Sequence, residues 1–440
     1  MRFLDELAAR RRFGMKPGLE TIRSLCAALG DPQRKSKAIH VAGTNGKGAV
    51  CAILDAALRA ASGMRDEGRG MMIGRYTSPH LVKINERFFL DGAPVDDETL
   101  ERVAEKVSKT LIPHPSSLIP SPTFFEALTA VAFLLYAEAK VDYAILECGL
   151  GGRLDATNVC DPSLCVITKI GLDHCDWLGD TVEKIAAEKA GVIKPGIPIV
   201  LGRNEPSVCA VIETRAREVG APFHYAPDLA GESEIPEDFS LAGAFNRENA
   251  VTALAALRVL EHSNIRTFEH FPAVVWPGRF QRVGNFIVDG AHNPPAARAL
   301  RESLEGLGGL ESFDPSIPSK HSKPAKPLNL IFGACGDKDV FEVLSILAPL
   351  VKKGYAVRTN NPRSLSAEET AAKMRAAGID AIACASLRDA IEQASHPSSL
   401  IPHPSSLICG SLFLAGEALV ELGAYPWGAP RFDKSELLKV

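Results

Sequence analysis

Short apolar runs alternate with longer amphipathic ones along most of this 440-residue chain. Runs rich in Val, Ile and Leu predict strands at Ala38–Ala42, Val141–Glu147, Leu164–Lys169, Ile197–Gly202, Asn285–Asp289, Leu328–Phe332, Tyr355–Thr359 and Leu407–Cys409. Helical stretches separate most of them, among them Ala49–Ala61, Phe124–Ala139 and Thr181–Ala190. This alternation predicts an α/β fold with mainly parallel sheets, which bind ligands at the carboxyl ends of their strands. The pattern breaks at "VVWPGRFQRVGN", where Pro277, Gly278 and Gly284 interrupt it before a new strand. Two domains are expected, residues 1–279 and 284–440.

Two kinds of segment fall outside the alternation. Glu311–Pro327, rich in Pro, Ser and Lys, predicts a mobile surface loop. "HPSSLIP" occurs at His114–Pro120 and His396–Pro402, and "HPSSLI" follows at once at His403–Ile408. The copies are too alike and too far apart for a structural period, so inserted tracts tolerated at loops are expected.

Composition narrows the function class. A net charge of −4 gives no basic footprint for nucleic acid. Ten cysteines without a C-x-x-C spacing predict reduced thiols in a cytoplasmic protein. The N-terminal "MRFLDELAARRRFG" is charged and amphipathic, unlike a signal peptide, and the most apolar helix, Ala127–Ala137, is too short to span a bilayer.

The chemistry gathers at strand ends. "HVAGTNGKGAV" places Gly43, Gly46, Gly48 and Lys47 between a strand and a helix, the order of a phosphate-binding loop. Backbone N–H groups there can cradle phosphates, and Lys47 can pair with the β- and γ-phosphates. The usual hydroxyl after the lysine is missing, since Gly48 and Ala49 follow. If the loop holds a nucleotide, the question is what holds the metal. Strand ends supply Glu147, Asp173 and His174, and "GRYTSPHLVKINER" supplies Thr77, Ser78 and His80 on a proline turn. Carboxylate and hydroxyl oxygens suit Mg²⁺, and an imidazole is the less expected ligand. In "TVEKIAAEKAGVIKPG", periodicity alone reads Lys184, Lys189 and Lys194 as exposed lysines.

"GTNGKG", "YTSPHL", "PTFFEALTA", "ECGLGGRLDATN", "GLDHCDWLGDTVEKIAAEKAGVIKPG", "WPGRFQ", "DGAHNP" and "GSLFLAGE" occur in this order. Together they resemble the folylpolyglutamate synthase and dihydrofolate synthase family of the Mur ligase superfamily. The resemblance implies a P-loop-containing, Mur-ligase-like first domain and a smaller Rossmann-like second domain. It implies an ATP-dependent ligase that phosphorylates a carboxylate of dihydropteroate or folate, after which the amine of L-glutamate displaces phosphate.

It also implies roles. Gly43, Thr44, Asn45, Gly46, Lys47, Gly48 and Ala49 would hold the ATP phosphates, with Asn249, Arg279 and Asp289 as further nucleotide contacts between the domains. Ser78, Glu147 and His174 would bind Mg²⁺, and Lys189 would join them as a carbamate. Thr123, Phe124, Phe125 and Glu126, with Leu154, Asp155 and Ala156, match the pterin-binding segments, the aromatic pair suiting a flat ring. A buried helix start would use the same aromatic pair. His292 and Ser411 match residues facing the glutamate, where capping or turn chemistry is the competing role. The implied catalytic residues are Lys47, Lys189 and His292. Ala49 stands where the family usually has Ser or Thr, and Cys175 where Thr is common. A monomer with small-molecule partners, binding neither nucleic acid nor membrane, is expected. The rival readings are a cell-wall Mur-type ligase and a nucleotide-dependent binding switch.

Overall fold

The computed structural model describes residues 3–4, 18–62, 71–111, 121–260, 274–307, 327–336, 339–395 and 406–428. They form two compact units. The first takes in residues up to His80, Ile84–Phe239 and Glu248–Val274; the second takes in Leu81–Lys83, Ser240–Arg247 and the chain from Val275.

The first unit is built on eight strands: β1 Lys37–Ala42, β2 Ile73–Tyr76, β3 Phe88–Leu90, β4 Ala93–Pro94, β5 Tyr143–Glu147, β6 Pro162–Ile167, β7 Ile199–Leu201 and β8 Phe223–Tyr225. Their order is β4-β3-β2-β5-β1-β6-β7-β8. From β2 to β8 every pairing is parallel, so these strands share one carboxyl edge. β1 is buried at every position after Lys37, which explains its unbroken apolar run. The helix Lys47–Ser62 packs on β1, β2 and β5. Leu128, Val131 and Leu135 of the helix Phe124–Ala139 join Leu100 and Val103 of Asp97–Thr110 in one core cluster.

The second unit carries six strands: β9 Gln281–Val283, β10 Phe286–Val288, β11 Leu328–Phe332, β12 Val351–Ala356, β13 Ala381–Ala383 and β14 Ser406–Cys409. Their order is β13-β12-β11-β14-β10-β9, parallel except where β9 meets β10.

β14 corrects the reading of the repeats. Ser406, Leu407 and Ile408 end the third copy, yet they are fully buried in a central strand between β11 and β10. The unbroken buried run Ser406-Leu407-Ile408-Cys409 suits a two-sided core, and that outweighs the loop-like Pro and Ser before it. The end of the preceding helix, Leu387–Ala394, is tied to the start of this strand: Ala394 O accepts from Ser406 Oγ at 3.4 Å and from Asn329 Nδ2 at 3.1 Å. His114–Pro120, residues 396–405 and the predicted loop before Pro327 lie outside the described residues. The ten cysteines are all free thiols.

Candidate active site

Adjacent parallel strands bring the predicted segments to one edge. Across β2, β5, β1 and β6, the carboxyl ends lead to Thr77–Ser78, to Glu147, to the glycine loop and to Thr168–His174. Neighbouring strands lie about 4.8 Å apart, so these ends fall within a span of roughly 15 Å.

The glycine loop is fixed from two sides. Gly43 has φ +146°, and a Cβ there would stand 1.9 Å from Thr168 Oγ1. That hydroxyl donates to Asn45 O at 2.7 Å. The N–H groups of Thr44 and Asn45 donate to Lys169 O at 2.9 and 3.2 Å. Gly46 has φ +89°, and a Cβ on it would stand 2.2 Å from Asn249 Oδ1, so Asn249 lies against the loop. Lys47 opens the helix, its Nζ donating to Thr44 O at 3.1 Å, and Gly48 and a buried Ala49 complete the first turn. A helix start behind a glycine cradle concentrates N–H donors for an anion.

Lys189 overturns the reading from periodicity. It is buried, and its Nζ donates to Gly43 O at 2.7 Å. Burial, and next the charge of Lys47, push its amine down to about 7. A neutral amine in contact with the phosphate loop is thereby accessible near neutral pH.

Of the expected metal ligands, Ser78 and Glu147 are brought together, Ser78 N donating to Glu147 Oε2 at 2.9 Å. His174 has φ +52° and an exposed ring, with Nε2 3.9 Å from Asp173 Oδ1. Among the described residues no three His, Cys, Asp or Glu side chains form a metal-sized group. The expected set therefore depends on a hydroxyl and a modified lysine as well as on Glu147 and His174.

The pterin-like segments meet through Phe125, whose ring fills the space beside Gly149; a Cβ there would stand 2.5 Å from Phe125 Cζ. Phe125 also lies 6.1 Å, centroid to centroid, from Tyr76. Thr123 and Glu126 form a reciprocal capping box, each side chain accepting the other's N–H. The helix-start role is thus filled by those two. Leu154 is exposed and Ala156 buried. Asp155 is buried, accepting from Leu150 N at 2.8 Å and from Thr157 N and Oγ1 at 3.0 and 2.5 Å. Burial raises its pKa. It anchors the loop that follows β5.

In the second unit, Asp289 closes the turn after β10, its oxygens accepting from Phe280 N and Ala291 N, each at 2.7 Å. Arg279 Nη1 would be 2.5 Å from a Cβ on Gly290, so the guanidinium crosses that glycine. His292 Nδ1 bonds Gly290 O at 2.8 Å, which leaves Nε2 as the acceptor nitrogen of a neutral ring. Ser411 caps the helix Leu412–Glu421, its Oγ accepting from Leu414 N at 3.0 Å. The capping and turn roles weighed against His292 and Ser411 are therefore present.

Sequence reasoning passed over Thr168 and Arg87. Thr168 looks like an ordinary end of a β-branched strand, and only the missing Cβ of Gly43 reveals its role. Arg87 ends a quoted motif but carries no periodic signal.

Residues 278–411 match the family described as Mur ligase, glutamate ligase domain. The chain is similar to the dihydrofolate synthase/folylpolyglutamate synthase of Bacillus subtilis, 39% identical over 329 residues that cover 67% of this chain and 74% of the relative. Its fold is similar to Mycobacterium tuberculosis folylpolyglutamate synthase complexed with ADP, with TM-score 0.81, 30% identity and coverage of 97% and 99% of the two chains. It is also similar to the bifunctional enzyme of Yersinia pestis complexed with AMPPNP and Mn ion, with TM-score 0.76, 29% identity and coverage of 93% and 94%. With the motif order, the glycine cradle and these likenesses in agreement, the chain belongs to the dihydrofolate synthase/folylpolyglutamate synthase family of the Mur ligase superfamily.

Proposed function

We propose that this protein joins L-glutamate to dihydropteroate, to folates or to both, through an acyl phosphate. It is an ATP-dependent ligase that binds nucleotide and a divalent metal. The observation that carries the reading is the pairing of a glycine cradle with a buried, near-neutral Lys189 touching it. Phosphoryl transfer is mainly positioning and charge neutralisation, and this edge offers donors and cations for both.

In this proposal the loop Gly43–Ala49 takes the ATP phosphates, with Lys47 on the outer ones and Asn249 beside Gly46. Arg279 and Asp289 serve the nucleotide, and His292 and Ser411 serve glutamate. Thr123–Glu126 and Leu154–Ala156 form the pterin side, with Asp155 holding its loop in shape. The first domain, residues 1–279, takes ATP and the pterin, and the second, 284–440, takes glutamate.

Ser78, Glu147, His174 and carbamylated Lys189 would hold the metal, which we assign as Mg²⁺. The oxygen donors at Ser78 and Glu147 suit that hard cation. The lowered pKa of Lys189 fits the neutral amine that carbamate formation requires. A divalent cation there would neutralise phosphate charge and orient the oxygens around it. Ser78 is kept in place by its N–H bond to Glu147, and Lys189 by its bond to the loop.

No helix of the described residues is long and apolar enough to cross a membrane. We assign the protein to the cytoplasm as a monomer with small-molecule partners alone. Purified protein with ATP, glutamate and either dihydropteroate or tetrahydrofolate tests the reading. ADP should appear in step with amide product and only when both glutamate and a pteroyl substrate are present. ADP release indifferent to glutamate would leave the binding-switch reading in its place.

A further inference from the structure

Arg87 ends the short helical turn Ile84–Arg87 and is 6% exposed. Its Nε donates to His80 Nδ1 at 2.9 Å. A guanidinium only donates, so His80 is held neutral with its proton on Nε2. Arg87 O accepts from Thr77 N at 3.1 Å, which fastens the turn that carries Ser78. On its other side, Cζ lies 6.0 Å from the centroid of Phe124, and the side chain hydrogen-bonds Tyr76, which packs on Phe125.

What this cation lacks is an anion. Arg75, equally buried, has Asp55 at 3.4 Å. Among the described residues no carboxylate forms an ion pair with Arg87. Glu86 and Glu147 act on it only at longer range, and burial pulls its pKa down. The phenol and the ring face offset part of the desolvation but bring no net negative charge. Buried charges in folded proteins are usually paired, and a buried guanidinium with no carboxylate ion pair beside a functional edge is where a ligand can supply the partner. The guanidinium fork matches a carboxylate in two-point geometry.

We propose that Arg87 is a substrate-binding residue whose guanidinium takes the carboxylate of the pteroyl substrate. It is joined on one side to the aromatic pair Phe124–Phe125 and on the other to the Ser78–Glu147 pair. A ligand with a flat ring at one end and a carboxylate at the other fits that succession. The inference rests on the ligase reading above.

The test compares dihydropteroate with its carboxamide analogue by calorimetry, in wild-type protein and in Arg87→Gln, beside KM values for ATP. Wild type should prefer the carboxylate by at least ~10-fold. Arg87→Gln should weaken dihydropteroate ~10- to 100-fold, the range of one charge-assisted hydrogen bond, and leave the carboxamide and the KM for ATP within ~3-fold. Equal weakening of both ligands, or no weakening, overturns the proposal. A raised KM for ATP with unchanged dihydropteroate affinity also overturns it and gives the guanidinium to a nucleotide phosphate. Parity between the two ligands in wild type overturns it without any variant, should Arg87→Gln fail to fold. Wild-type protein that binds neither ligand refutes the ligase reading and this proposal together, whereas tight dihydropteroate binding unaffected by Arg87→Gln refutes the proposal alone.

Discussion

The carboxyl edges of the two sheets carry different polar residues and use them in opposite ways. In the first unit, Lys47, Lys189 and Arg87 stand at or beside the edge with carbonyl, imidazole, phenol or ring partners. None of the three has a carboxylate ion-pair partner among the described residues. In the second unit, Asp289, His292 and Ser411 bond backbone groups of their own turns and helix start. One edge leaves its basic side chains without carboxylate ion pairs among the described residues, which suits a site for phosphates and carboxylates. The other uses its polar groups to fix backbone shape. A parallel sheet's carboxyl edge therefore does not by itself fix what a strand end does; the pairing of its polar groups does.

The largest expected effect breaks the first edge. Glu147→Ala removes the carboxylate that receives Ser78 N and should lower kcat by at least ~100-fold, as losing a strong electrostatic stabiliser does. Ala49→Ser, restoring the hydroxyl usual in phosphate loops, should change kcat only a few-fold, under ~1 kcal/mol of barrier. Steady-state kinetics against Mg²⁺ concentration checks both. A mild Glu147 variant beside a strongly altered Ala49 variant would move the metal to the loop.

A second test uses one buried ionisable group from each unit. Burial raises Glu417 from 4.5 to about 7, and it lowers Lys189 from 10.5 to about 7. Between pH 4.5 and 7 the folded state holds the Glu417 proton more tightly than the unfolded chain, so stability from this group falls as pH rises. Between pH 7 and 10.5 the unfolded chain holds the Lys189 proton more tightly, so stability from that group rises with pH. Melting temperatures across pH, in CO₂-free buffer, should show Glu417→Gln flattening the acid-side slope and Lys189→Met the alkaline-side slope. Unchanged slopes would mean that the groups are solvated in solution.

Ser411→Ala sharpens the contrast further. Loss of a helix N-cap costs about 1 kcal/mol, read as a shift in denaturation midpoint. If capping is its whole role, kcat/KM should fall less than ~3-fold; a larger fall confined to the KM for glutamate would give it the substrate contact as well. The smallest effect belongs to deletion of His396–Pro402. The next copy supplies the same residues before Cys409, so β14 is unchanged. Shortening a loop changes closure entropy by about 0.6 kcal/mol per halving, so melting temperature and activity should barely move.

Strands with both faces buried were legible in sequence, since unbroken apolar runs such as Ala38–Ala42 admit few other readings. β2 was not. Gly74 lies against the Tyr136 ring and Arg75 is buried beside Asp55, so two of its four residues look unlike a strand until their partners are known. β12 begins at Val351 rather than Tyr355, its start hidden in sequence by Lys352, which is exposed, and Lys353, which is half-buried and lies over the Tyr355 ring. The phosphate loop was legible because its glycines are a backbone requirement written directly into the sequence. Lys189 was legible only by family likeness, since burial of one lysine among three depends on the tertiary fold. Arg87 was missed because a lack of ion-pair partners exists only in three dimensions.

The bond from Ser406 Oγ to Ala394 O brings two points of the chain twelve residues apart side by side. Such a junction is a natural place to open the polypeptide. New termini cut between Ser395 and Ser406, or a reporter domain spliced in there, would begin and end side by side without pulling the central strand out of register.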